Sequence, residues 1–292
     1  MGYALTPATR ETVLRAQKNE ITEYFIYKKL AKSTKNQHNR EVLEKIAQEE
    51  LAHSRIWQTY TEKKVRPSKL KIWHYFLIAK IFGLTFGVKL MEKGEEMAQV
   101  KYDLLSADIP EAKRIEAEEN EHEKALLNMI NEDKLNYVGS MVLGLNDALV
   151  ELTGALAGLT FALQQANLVA IAGLVTGVAA SFSMAASEYL STKSEESEQS
   201  PLKAAFYTGV AYISTVTLLI LPYLVLGNIY FSLGLTLLIA VLIIFFFNFY
   251  ISVAKDLDFK KRFLEMAGLS LGVAALSFGV GLALRAIWGI EA

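Results

Sequence analysis

The chain predicts an all-α protein in two halves, a four-helix bundle followed by a five-helix transmembrane domain. Three observations carry this expectation. Most of the charged residues lie before residue 135, although the formal net charge of the 292 residues is only −1. Apolar residues in that front half recur three and four positions apart, the period of an amphipathic helix. The back half is nearly unbroken hydrocarbon, in five segments each long enough to cross a layer of roughly 30 Å. The boundary falls after residue 134, giving domains 1–134 and 135–292.

Thr6-Pro7 reads as a helix start, with Thr6 as cap and Pro7 in the first helical position. From there to about Ser33, Val13, Leu14, Ile21, Phe25 and Leu30 form the apolar stripe. A second helix from about Asn36 to Lys64 carries Val42, Leu43, Ile46, Leu51, Ile56 and Trp57, and Arg66-Pro67-Ser68 ends it. Residues 70–88 are apolar enough to be mistaken for a span (Trp73, Phe76, Leu77, Ile78, Phe82, Phe86). Lysines 69, 71, 80 and 89 make spanning costly. We assign a crossover helix, apolar enough to touch the membrane surface, then a third bundle helix from about Leu84 to Ser106. The fourth begins after Asp108-Ile109-Pro110 and runs to about Asp133.

Two Glu-x-x-His pairs, Glu50/His53 and Glu119/His122, lie on the second and fourth of these helices. Residues three apart share a helix face, so each pair can offer a carboxylate and an imidazole to one ion. Each is preceded by a helix with its own inward-facing Glu candidate, Glu20 for the first and Glu95 for the second. A lone Glu followed by a Glu-x-x-His, twice, is the ligand order of a dinuclear carboxylate site in a four-helix bundle. Glu92, Glu116 and Glu123 lie within about one turn of these residues and are additional ligand candidates. His38 and His74 have no partner at helical spacing. With no cysteine, disulfide frameworks, zinc ribbons and iron–sulfur ligation are excluded. Oxygen and nitrogen ligands suit iron or manganese. The absence of a basic stripe argues against nucleic acid as a partner.

The five apolar segments fall at about 137–163, 167–190, 202–226, 229–254 and 262–288. The turns at 164–167 and 227–228 carry no charge, whereas Lys134, Lys193, Lys203, Lys255, Lys260, Lys261 and Arg262 fall on the other side. The excess of basic residues puts the N-terminal domain in the cytoplasm and the C-terminus outside. The first segment holds Asp147 and Glu151, four residues apart on one face. A charge at that depth costs at least ~2.5 kcal/mol, which marks both as functional candidates. Met184 and Glu188 on the second segment, followed by Ser191 and Glu195, extend a carboxylate ladder from cytosol to midplane, with Glu196 and Glu198 nearby. A thioether beside carboxylates is a transient site for a divalent first-row metal.

Two resemblances follow from these motifs. Asn19-Glu20 with Tyr24 and Tyr27, then Glu49-Glu50-Leu51-Ala52-His53, Gly94-Glu95-Glu96 and Glu119-Asn120-Glu121-His122, resemble the rubrerythrin-like branch of the ferritin superfamily over roughly 7–133. This implies a ferritin-like fold and a di-iron (Fe2+/Fe3+) or manganese site on Glu20, Glu50, His53, Glu95, Glu119 and His122. The rubredoxin-type four-cysteine site of true rubrerythrins has no counterpart in this cysteine-free chain. Gly144-Leu145-Asn146-Asp147-Ala148-Leu149-Val150 and Ser183-Met184-Ala185-Ala186-Ser187-Glu188-Tyr189-Leu190-Ser191 look like the first two spans of the vacuolar iron transporter family. That resemblance implies a homodimer moving Fe2+ or Mn2+ out of the cytoplasm in exchange for protons, with Asp147 and Met184 in the pathway. The Glu-rich insert many members carry between spans two and three has shrunk here to 192–200. The N-terminal domain would take its place, capturing, sensing or oxidising the metal. The alternative is a membrane-anchored di-iron oxidase or peroxide scavenger.

Overall fold

A computed structural model describes residues 5–97, 105, 109–128, 137–195 and 199–288; the side chains at 92, 95–97, 123, 127, 128 and 288 lie outside the description. Among the described residues all regular structure is helical. The chain divides into two compact units, Met1–Glu132 and Asp133–Ala292.

In the first unit, α1 spans Pro7–Ser33, and the Thr6 side chain accepts from the Thr9 amide, satisfying one of the donors a helix start leaves open. Asn36 caps α2 (Gln37–Thr61) in the same way through the Asn39 amide. This helix stops three residues before the expected Lys64, because Glu62 adopts the left-handed conformation at φ 56° and closes the last turn through Gln58. Ser68 caps α3 (Lys69–Phe82). The crossover expected over 70–88 is therefore shorter. Gly83, at φ 105°, ends it in a conformation that L side chains rarely adopt, and α4 (Leu84–Met97) begins at once. At this corner a Cβ on Gly87 would lie 2.5 Å from the Ala79 Cβ, so the two helices touch only because residue 87 is glycine. The expected third helix ran to Ser106, but 98–104 lie outside the described residues. Helix α5 spans Glu111–Asn128.

Helix α1 packs on α2 and α3, α3 on α4, and α5 on both α2 and α4. Two apolar clusters hold this unit. Ile26, Leu30, Leu43, Ile46, Val88 and Met91 form one, and Val13, Trp57, Tyr60, Ile109 and Ile115 the other. Burying side chains of this size stabilises by about 1.5–3 kcal/mol each.

The second unit contains α6 (Val138–Leu163), α7 (Ala166–Ser194), α8 (Pro201–Val225), α9 (Ile229–Lys255) and α10 (Phe259–Trp288). All five are long and apolar enough to cross a membrane. Helix α6 packs against each of the other four, and half of its most apolar stretch is buried against 22% for α10, so α6 is the central helix. Glycine permits these approaches. A Cβ at Gly144 would strike the Thr208 carbonyl of α8, one at Gly281 would strike the Gly158 carbonyl of α6, and one at Gly177 would press on Val216. Gly139 has nothing within 4 Å of a built Cβ.

Candidate metal centre

Residues 50 and 53 of α2 face inward because Leu43, Ile46, Ala47 and Trp57 put that stripe of the helix into the core. Glu20, on the buried face of α1, lies opposite, and the Trp57 indole donates to its Oε1 at 3.0 Å. Together with Glu119 of α5, these residues offer ligand atoms that all lie within 4.8 Å of one another: Glu20, Glu50, His53 and Glu119. Burial is nearly complete, with Glu20 2%, Glu50 1% and His53 1% exposed. Carboxylates are almost never buried to this degree without a compensating charge.

His122 completes a pattern that crosses between α2 and α5. His53 Nδ1 lies 3.1 Å from Glu119 Oε1, and His122 Nδ1 lies 3.2 Å from Glu50 Oε1. On the far side of each ring, His53 Nε2 bonds Glu118 Oε2 at 2.7 Å and His122 Nε2 bonds Glu49 Oε2 at 2.8 Å. The rings stack with centroids 5.8 Å apart. Each imidazole thus turns Nδ1 toward the inner carboxylates and Nε2 toward an outer one. Nδ1 of His53 is also 3.6 Å from Glu20 and 3.7 Å from Glu50.

Burial disfavours the charged imidazolium of His53, but the close carboxylates of Glu119, Glu20 and Glu50 outweigh it and hold its pKa far above the ordinary histidine value. The same balance, through Glu119 and Glu50, pushes His122 up to about 10. Burial would raise Glu119, yet hydrogen bonds from His122 and His53 bring it down to about 2. Glu20 is raised well above the ordinary carboxylate value by its desolvation. Protonated histidines therefore balance the inner carboxylates when no metal is bound.

These residues fit a cation. Glu50 Oε2 is buried without a hydrogen bond, and an ion at the cluster would satisfy it. Glu20, Glu50, His53, Glu119 and His122 would hold the metal, and the mixed oxygen and imidazole donors suit iron or manganese. Bound there, iron would supply a one-electron Fe2+/Fe3+ couple to an external electron donor or acceptor. Of the other expected ligands, Glu95 and Glu92 sit on α4 and Glu123 on α5, but their side chains lie outside the described residues. Glu116 is half-buried on α5 and is not part of the group. Sequence reasoning gave no role to Glu118 or to the Trp57 indole. The signal for Glu118 was its place directly before the second Glu-x-x-His, matching Glu49 before the first.

In the second unit Asp147 and Glu151 share a face of α6. Tyr212 of α8 donates to Glu151 Oε2 at 2.9 Å, and Ser140 of α6 donates to Glu188 Oε1 of α7 at 2.5 Å. Met184 is partly buried against the apolar core of this unit, and among the described residues it forms no hydrogen bond with Asp147. Glu195, just past α7, accepts from Ser191 at 3.2 Å; Glu196 and Glu198 lie outside the described residues. Asn248 and Glu265 line a cavity of about 220 Å³ with Asn146, Arg262 and Met266.

No curated protein and no solved structure matches the chain. Residues 138–199, the stretch that holds α6 and α7 and with them Asp147, Glu151, Met184, Glu188 and Glu195, match the model of the VIT family, which points to metal-ion transport by a helical membrane domain.

Proposed function

We propose that the chain exports Fe2+ or Mn2+ from the cytoplasm in exchange for protons, and that the N-terminal unit is a cytoplasmic ferritin-like domain that captures, senses or oxidises the same metal. The observation that carries this reading is the VIT family match over 138–199, a stretch that holds every transport candidate the sequence nominated. The buried carboxylate–histidine cluster supports the second part, because a site built from Glu20, Glu50, His53, Glu119 and His122 selects a divalent first-row metal. Glu49 and Glu118 then act as outer partners that orient the two imidazoles.

In this account the ion passes from Glu195 and Glu188 toward Met184 and Asp147. Asp147 takes a proton when the metal leaves, since an unpaired carboxylate is costly at that depth. In this reading the working unit is a homodimer. An anchored oxidase requires one span, whereas this unit has five helices able to cross a membrane, with carboxylates on the central one. Flux into proteoliposomes tests the proposal. Mn2+ or Fe2+ should enter vesicles holding the intact chain, and Glu50→Ala with Glu119→Ala should lower entry at limiting metal while leaving it nearly normal at saturating metal. No metal entry by the intact chain would reject transport.

A further inference from the structure

Helix α3 has the composition of a core helix and the exposure of a surface one. Leu70, Trp73, Leu77 and Ile81 are 83%, 54%, 49% and 69% exposed. At 100° per residue these four fall within one narrow arc centred on Leu77. Lys69 and Lys80 flank that arc on one side and His74 on the other, Lys71 lies further round where it lines a small pocket with Tyr75 and Glu23, and the helix contains no acidic residue. The opposite face, with Ala79 buried, packs on α1 and α4. From α1, Lys29 places its ammonium 3.2 Å from the centroid of the Trp73 ring and 4.6 Å from that of Phe76, adding a further cation at the edge of the stripe.

We infer that α3 lies flat on the bilayer, with Leu70, Trp73, Leu77 and Ile81 in the headgroup and acyl boundary and the lysines on anionic lipid phosphates. Fourteen residues span only about 21 Å, too short to cross the hydrocarbon layer, so the helix runs along the surface. An apolar stripe bordered by lysines, with tryptophan within it, is the pattern of an interfacial helix. Charge selects lipid over a second copy of the chain. Pairing two α3 helices face to face would bring Lys69 and Lys80 of both copies together with no acid on either helix to neutralise them. This inference rests on the geometry of α3 alone and is independent of what the chain transports.

The chain has no cysteine, so single labels can be placed without background. Spin labels at Leu77→Cys and Ile81→Cys, in the full chain reconstituted into phosphatidylcholine vesicles containing phosphatidylglycerol, are read for collision with dissolved oxygen and with a water-soluble nickel chelate. Lys45→Cys, on the exposed face of α2, is the control. Oxygen should dominate at 77 and 81 and the nickel chelate at 45. Changing Lys69 and Lys80 together to Glu should raise nickel access at 77 at least threefold. Brominated lipids should quench Trp73 in the otherwise unmodified chain, read as the difference from Trp73→Phe, which keeps the measurement independent of labelling. Nickel-dominated collision at 77, or protection from both reagents as in a protein–protein contact, would overturn the inference.

Discussion

Replacing Glu118 or Glu49 by leucine should loosen the metal centre without removing a single inner ligand. Both carboxylates receive short hydrogen bonds, 2.7 Å and 2.8 Å, from the imidazole nitrogens that point away from the cluster. Such outer partners fix which nitrogen carries the proton, leaving Nδ1 free for the ion, and their loss typically weakens metal affinity 10–100-fold. That range corresponds to about 1.4–2.8 kcal/mol. The Glu118 and Glu49 side chains are 41% and 37% exposed, and water can replace part of what they supply, so about tenfold per substitution is expected. Glutamine retains an acceptor oxygen and should recover most of the loss. The assay is Zn2+ titration of the full chain labelled with 15N in the histidine rings. Only four histidines are present, which keeps the spectrum readable, and zinc is diamagnetic. In the unmodified protein two rings should bind through Nδ1 and keep a proton on Nε2. Unchanged affinity and an unchanged Nε2 proton signal in the leucine variants would refute the orienting role. Zinc that perturbs none of the rings in the unmodified protein would refute the centre itself.

Three further outcomes are expected. Glu50→Ala together with Glu119→Ala should abolish metal binding by the N-terminal unit while circular dichroism shows nearly intact helix content; full metal stoichiometry in that variant would discard the ligand assignment. Without metal, the His122 contribution to stability is complete below its ordinary 6.5 and is lost as pH rises through about 10. That of Glu119 is complete above its ordinary 4.5 and is lost as pH falls through about 2. Hydrogen-exchange protection of α2 and α5 should therefore be highest between these ordinary values and decline on both sides, and metal affinity should rise with pH because the ion displaces imidazole protons. Single cysteines at Ser194 and Gln165 should react with impermeant reagent from opposite sides of the membrane; labelling of both from the same side would overturn the five-span model.

Much of this fold was legible because capping and periodicity are local. Thr6, Asn36 and Ser68 each cap a helix through the amide three residues on, and the Pro7 start needs no tertiary information. Helix ends that depend on one backbone torsion were harder. Nothing in Glu62 announces a left-handed residue, so α2 was read three residues too long. At Gly83, only the contact of Gly87 with Ala79 explains why the chain turns and does not continue as one helix. At the metal centre, spacing of three nominated Glu50/His53 and Glu119/His122. It could not show that the outer bonds cross, from Glu118 to His53 and from Glu49 to His122, because that pairing depends on how α2 and α5 meet. The same limit hid Tyr212 and Ser140, whose hydroxyls reach Glu151 and Glu188 from neighbouring helices.

On the proposed mechanism, metal and protons move in exchange through the membrane unit, with Asp147 carrying the alternating charge. Proton flux against an imposed Mn2+ or Fe2+ gradient, measured in proteoliposomes of the unmodified chain, of Asp147→Asn and of Met184→Ala, tests it most directly. Exchange through Asp147 requires metal-driven proton movement in the unmodified chain, none in Asp147→Asn, and reduced flux with altered metal selectivity in Met184→Ala, since a thioether contributes softness and no charge. Undiminished exchange in Asp147→Asn, or no exchange in the unmodified chain, would contradict it.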